Sequence, residues 1–171
     1  MLTGVPPISQ VALGFLVTFI AIRINGFDLL VDAVGWAAVA SGLSRLETTV
    51  DRGFAGAKVS AVVACLVSIL LLFGPTRAAL ITTVYTVVSL LTVWLIATVV
   101  MRRAQARGDI STAQTFNVIR LTEAIVQILA VAVLVVGGPG GIVIISGIIG
   151  FVVYIWFVVS LIRLNRLPYF V

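Results

Sequence analysis

Between Arg77 and Arg102 the chain runs for 24 residues, 78–101, without a charged side chain. A membrane-spanning helix needs about 20 predominantly apolar residues, with a range of about 17–25. A transmembrane β-barrel is the rival, and it requires strands of about ten residues with alternating polarity. This run is apolar all round, so its backbone groups must be satisfied within a helix.

Five more segments read the same way. The six are residues 8–24, 29–46, 54–73, 78–101, 115–136 and 142–162. Turn chemistry separates them: Asn25-Gly26, Gly74-Pro75, and a Gly-Gly-Pro-Gly-Gly run from Gly137 to Gly141. Three helical hairpins follow. The chain is 61% hydrophobic and 10% charged. A soluble domain is about 45–50% apolar and about 25% charged, so lipid must be the solvent here. The expected fold is all-α, a polytopic helical membrane protein, with residues 1–171 forming a single integral membrane domain.

The N-terminal run is expected to be retained. No Lys or Arg precedes it, and no small-x-small cleavage site follows it. Orientation follows from the basic residues. With six crossings and an inside N-terminus, the inner side holds eight: Arg45, Arg52, Lys58, Arg102, Arg103, Arg107, Arg163 and Arg166. The outer side holds Arg23 and Arg77. The positive-inside rule is satisfied and both termini lie inside. A competing topology makes residues 29–46 interfacial, with five crossings and an outside N-terminus, and it also satisfies the rule because Arg23 moves inward. Residues 33–44 carry no charge and extend the run to spanning length, which favours six.

Helices in lipid associate through close backbone approach. Small residues recur at Gly56, Ser60, Ala64 and Ser68, with a second row at Ala57, Ala61 and Cys65, and at Ala33, Ala37 and Ser41, with Ala38 and Gly42 beside them. Ser146 and Gly150 do the same in the last segment. These rows suit internal packing, and they equally suit a seam between copies. Thr82, Thr83, Thr86, Ser89 and Thr92 form a hydroxyl row in the fourth segment. Such hydroxyls commonly bond the carbonyl one turn back.

Ionisable groups inside a membrane are costly and often mark functional sites. One cluster is Gln114, Asn117, Arg120, Glu123 and Gln127, spaced by threes and fours along one helical stripe. Arg120 and Glu123 stand at pairing distance. With a helix start at Thr115, Arg120 lies roughly 7–8 Å in, shallow enough to snorkel; Gln127 is too deep. The stripe reads either as an interfacial helix start with a self-satisfied pair or as the polar wall of a cavity. The other cluster is Asp28, which precedes the second segment, and Asp32, in that segment's first turn. Carboxylates at a helix N-terminus stabilise it by about 0.3–1 kcal/mol each, and Arg23 is a nearby counter-ion. Capping needs only one acid, so a cation or proton site at the membrane edge is the alternative.

The chain has one cysteine and no histidine, which removes the intrachain disulfide and the commonest general base and metal ligand. Cys65 is read as a packing residue. No CxxC, HExxH, GxSxG or P-loop motif is present. No enzyme activity, cofactor or metal is therefore expected. The net charge of +5 sits at helix ends, where orientation uses it, and leaves no surface for nucleic acid.

The run from Asn25 to Trp36, continuing to Gly42-Leu43-Ser44-Arg45-Leu46, resembles a family of small uncharacterised bacterial multi-span proteins. Their first hairpin carries Asn-Gly-x-Asp, then Asp-x-x-Gly-aromatic, then Gly-Leu-Ser-basic-Leu. The family's proline before the second aspartate is Val31 here. The resemblance covers about the first third of the chain. It implies a bacterial inner membrane and no known activity.

Two functions fit. The first is transport or permeation of a small solute or ion, alone or as a membrane subunit, with Asp28, Asp32, Asn117, Arg120, Glu123 and Gln127 as the polar lining. The second is a membrane-held regulator or scaffold of the anti-sigma type. It would act through Arg45, Arg52, Lys58, Arg102, Arg103 and Arg107 on a cytoplasmic partner. Lipid is the certain partner; a second copy or a partner subunit is left open.

Overall fold

The structure is a computed structural model that describes residues 5–20, 28–72, 78–136, 140–168 and 170. Among them the regular structure is six α-helices and no strand. They are α1 (Pro7–Ile20), α2 (Asp28–Thr49), α3 (Phe54–Leu72), α4 (Ala78–Ala106), α5 (Ile110–Val136) and α6 (Gly140–Leu164). The expected turns at Asn25-Gly26 and Gly74-Pro75, with Gly137 to Pro139, lie outside the described residues. Gly140 and Gly141, expected in the last turn, open α6 instead.

Three helices contain stretches long and apolar enough to cross a membrane: Phe54–Leu71, Leu80–Ala106 and Gly147–Leu164. Exposure supports lipid as their solvent. On α3 the buried face holds Ala57, Ser60, Ala61, Ala64 and Ser68, while Val59, Val62, Val63, Leu66, Ile69 and Leu70 are exposed. A water-soluble helix would bury the large aliphatic residues. Small residues inside and large ones outside is the arrangement of a helix packed in lipid.

Two compact units are present, Met1–Thr92 with Val158–Val171, and Val93–Phe157. In the first, α1 runs antiparallel against α2. A Cβ added to Gly14 would stand 2.7 Å from the Val39 backbone nitrogen and 2.8 Å from the Gly35 carbonyl. One added to Gly35 would meet the Thr18 nitrogen at 2.8 Å, and one at Gly42 the Pro7 carbonyl at 2.9 Å. Only hydrogen fits between these backbones. Of the expected α2 small residues, Gly42 does face α1, together with Gly35 and Val39, and Ser41 accepts from Gln10 of α1, whereas Ala37 is exposed. Ala33 is buried, and its carbonyl accepts from the Cys65 thiol on α3.

Polar links fix the same unit. Arg45 donates to the Val5 carbonyl and Gln10, and Gln10 donates to Ser41. Asn165, just past α6, donates to Ser9. The start of α1, the end of α2 and the end of α6 therefore lie together. The Thr92 hydroxyl of α4 lies 2.9 Å from both the Val88 carbonyl oxygen and the Ser60 hydroxyl, within hydrogen-bond reach of each. Thr86 likewise bonds Thr82, one turn back, as membrane hydroxyls commonly do.

In the second unit α4 runs past the expected end at Met101 to Ala106. It closes with Gly108 at φ 74, with the Gly108 N–H bonded to the Gln105 carbonyl and the Asp109 N–H to the Ala104 carbonyl. This double closure is a Schellman motif. Asp109 then caps α5, its carboxylate accepting from the Thr112 N–H at 3.0 Å. α5 accordingly begins at Ile110, five residues before the expected Thr115. Phe116 and Phe157 meet edge to face at 6.3 Å, joining α5 to α6.

Candidate functional site

The α5 stripe carries its polar groups inward within the second unit. Large aliphatic residues point outward at Val118, Leu121, Ile125, Ile128 and Leu129, while Glu123 is buried. Asn117, Arg120 and Gln127 are half-buried, and Gln114 is exposed.

The expected Arg120–Glu123 pair does not form. Arg120 Nε donates to Asn117 Oδ1 and Nη1 to Thr98 Oγ1, each at 3.1 Å. Its guanidinium lies 4.8 Å over the Trp94 ring, at cation–π distance. Thr98 in turn donates to the Trp94 carbonyl at 2.7 Å, so one hydroxyl accepts from Arg120 and anchors to its own helix. Arg120 is ten residues into a helix that begins at Ile110, roughly 15 Å along it. Its charge is held by α4, through Thr98 and Trp94.

Glu123 is 5% exposed. Its Oε1 accepts from Gln127 Nε2 at 3.1 Å. Its Oε2 is buried with no hydrogen-bond partner among the described residues. Asn117 and Arg120 are thus tied to Trp94 and Thr98 of α4, and Glu123 is tied to Gln127 one turn further along α5.

The second aspartate of the first hairpin has a partner across the bundle. α2 starts at Asp28, so Asp32 falls in its second turn, beyond capping position, which corrects its expected place in the first turn. Tyr85 of α4 donates to Asp32 Oδ2 at 3.4 Å and accepts from Trp36 Nε1 at 2.8 Å. Trp36 packs edge to face against Phe15 at 5.5 Å and against Tyr85 at 6.3 Å. The Asp28 side chain lies outside the described residues.

Of the basic residues, Arg45 is half-buried in its α1 contacts, and Lys58 pairs with Glu47. Arg103 is half-buried, and Arg52, Arg102 and Arg107 are exposed. Trp36, Tyr85, Trp94 and Thr98 are not among the residues that the sequence pattern marks. The signal that finds three of them is a polar-tipped aromatic in the middle of an apolar run, whose N–H or O–H must meet a partner. No known family model, curated protein or solved structure matches this chain.

Proposed function

We propose that this chain is a multi-pass protein of a bacterial inner membrane that moves a small solute or ion, alone or as a membrane subunit. Six crossings with both termini inside are the proposed topology. The contact between Ser9 and Asn165 supports it, because an even number of crossings returns the chain to its starting side. The antiparallel α1–α2 seam supports it too. α2 has 22 residues, roughly 33 Å at 1.5 Å per residue, against a hydrocarbon core of about 30 Å.

The observation that carries the transport reading is Glu123: a buried carboxyl on an inward polar row, with one oxygen that no described protein group satisfies. Packing alone does not require such a group, and it is costly to place there. The test compares two sets of variants. Glu123→Gln and Asp32→Asn remove the inward acids; neutralising Arg102, Arg103 and Arg107 removes the basic rim. Flux into liposomes that falls only with the first set supports transport. Background flux together with a cellular phenotype confined to the second set sinks it.

The regulatory reading rests on Arg52 and Arg102, both exposed beside helix ends. It predicts the second outcome, and a cytoplasmic partner captured by the wild type and lost when the rim is neutralised.

A further inference from the structure

We infer that Glu123 is a proton-binding site and that the proton is the ion handled by the inward polar stripe of α5. Its role in flux rests on the transport reading; the binding itself rests on the following geometry. A carboxylate withdrawn from water needs a counter-charge or a full set of hydrogen bonds. Glu123 receives one hydrogen bond, from Gln127, at Oε1. Oε2 is buried and has no partner among the described residues.

The cation placed by sequence to neutralise it is Arg120, one turn earlier. Arg120 is turned away onto Asn117, Thr98 and Trp94. The other elements of this unit add no nearby charge. α6 from Gly140 to Phe157 contains no Asp, Glu, Lys or Arg, and Tyr154 is its one titratable residue. α4 from Val93 to Ala106 contains only Arg102 and Arg103, toward its C-terminal end. α5 itself has no charged residue besides Arg120 and Glu123.

A metal cation fits this donor set poorly. Calcium takes about 6–8 oxygen ligands and magnesium a near-octahedral set. Among the described residues no group of three or more His, Cys, Asp or Glu side chains comes together. A proton needs only one oxygen. Bound at Oε2, it removes the buried negative charge and leaves the Gln127 hydrogen bond to Oε1 intact.

The experiment uses the purified full chain in phosphatidylethanolamine–phosphatidylglycerol vesicles. The vesicles are treated with dicyclohexylcarbodiimide, a lipid-soluble reagent that adds to protonated carboxyl groups within a bilayer. The adduct is located by peptide mass spectrometry across a pH series, with and without sodium or magnesium. The expected result is an adduct at Glu123 at neutral pH that declines at alkaline pH, is indifferent to either metal ion, and is lost in Glu123→Gln. The wild-type pH series is read without any variant, so the outcome stands even if that variant fails to fold. No adduct at Glu123, or an adduct suppressed by sodium or magnesium at constant pH, overturns the proton site. Labelling without flux leaves the proton site standing and sinks transport; flux without labelling does the reverse.

Discussion

Arg120 and Glu123 stand one turn apart on α5 and face opposite ways along it: the arginine reaches back to Asn117, and the glutamate forward to Gln127. Opposite charges at this spacing commonly pair on a helix. Here the guanidinium gains two hydrogen bonds and an aromatic face, and the carboxyl is left beside an amide. That division keeps the arginine's charge fixed by protein and leaves Glu123 Oε2 without a hydrogen-bond partner among the described residues.

The arginine's hold depends on a planar fork lying over a ring, which lysine cannot reproduce. Arg120→Lys is expected to destabilise the chain by about 1–2 kcal/mol, read as a lower unfolding midpoint in detergent. Trp94→Leu is expected to act through the same contact. In a double-mutant cycle the two changes should couple by about 0.5–2 kcal/mol. Additive effects would show that the ring and the guanidinium do not interact.

The Tyr85 hydroxyl serves two partners at once, accepting from Trp36 and donating to Asp32. Tyr85→Phe keeps the ring and its edge-to-face contact but strands an indole N–H. The expected loss is about 1–3 kcal/mol, the cost of leaving a buried donor unsatisfied. Trp36→Phe in the Tyr85→Phe background should then cost much less than it does alone. Equal costs in the two backgrounds would remove the hydroxyl bridge as the reason for Trp36's placement.

The α1–α2 seam separates two kinds of glycine. At Gly35 an added methyl meets the Thr18 nitrogen and the Gly14 carbonyl, and backbone atoms cannot step aside as a flexible side chain can. Gly35→Ala is expected to destabilise by about 1–3 kcal/mol through overpacking. At Gly147 of α6 an added Cβ meets nothing within 4 Å. Gly147→Ala should therefore be neutral, or stabilising by up to about 1 kcal/mol from helix propensity. Matched unfolding curves of the two variants make the comparison, and equal midpoints would contradict the close approach.

The number and order of the helices are legible in the sequence because long apolar runs admit little else. The inward face of α3 is largely legible as well: Ser60, Ala64 and Ser68 of one expected row and Ala57 and Ala61 of the other are buried, while Gly56 is exposed. The rotation of α2 is not. Small residues lie all around it: the expected set includes Gly42 but not Gly35, and only the partner helix selects these two over Ala37. Helix ends set by charge are misread for a related reason. Arg102 and Arg103 end an apolar run but not a helix, whereas Gly108 and Asp109 carry the stop and start chemistry. The partners of Arg120 and Asp32 lie 22 and 53 residues away, and no local spacing rule reaches that far.

The turn between α4 and α5 compresses a stop and a start into adjacent residues. Gly108 adopts φ 74, a left-handed conformation that costs an ordinary residue roughly 1–2 kcal/mol. Its position lets the Asp109 N–H reach the Ala104 carbonyl. Asp109 then offers its carboxylate to the first turn of α5. Gly108→Ala is expected to lower stability by about 1 kcal/mol, and Asp109→Ala by about 0.5–2 kcal/mol through the lost cap. Gly108→Asn should cost less than Gly108→Ala, because asparagine tolerates the left-handed region. Since the two residues share one turn, the double variant should not be a simple sum. Limited proteolysis at residues 107–109, followed alongside the unfolding midpoint, reads the effect directly: faster cleavage in Gly108→Ala and Asp109→Ala is expected. Unchanged cleavage in both would show that the two helices hold their ends without this turn.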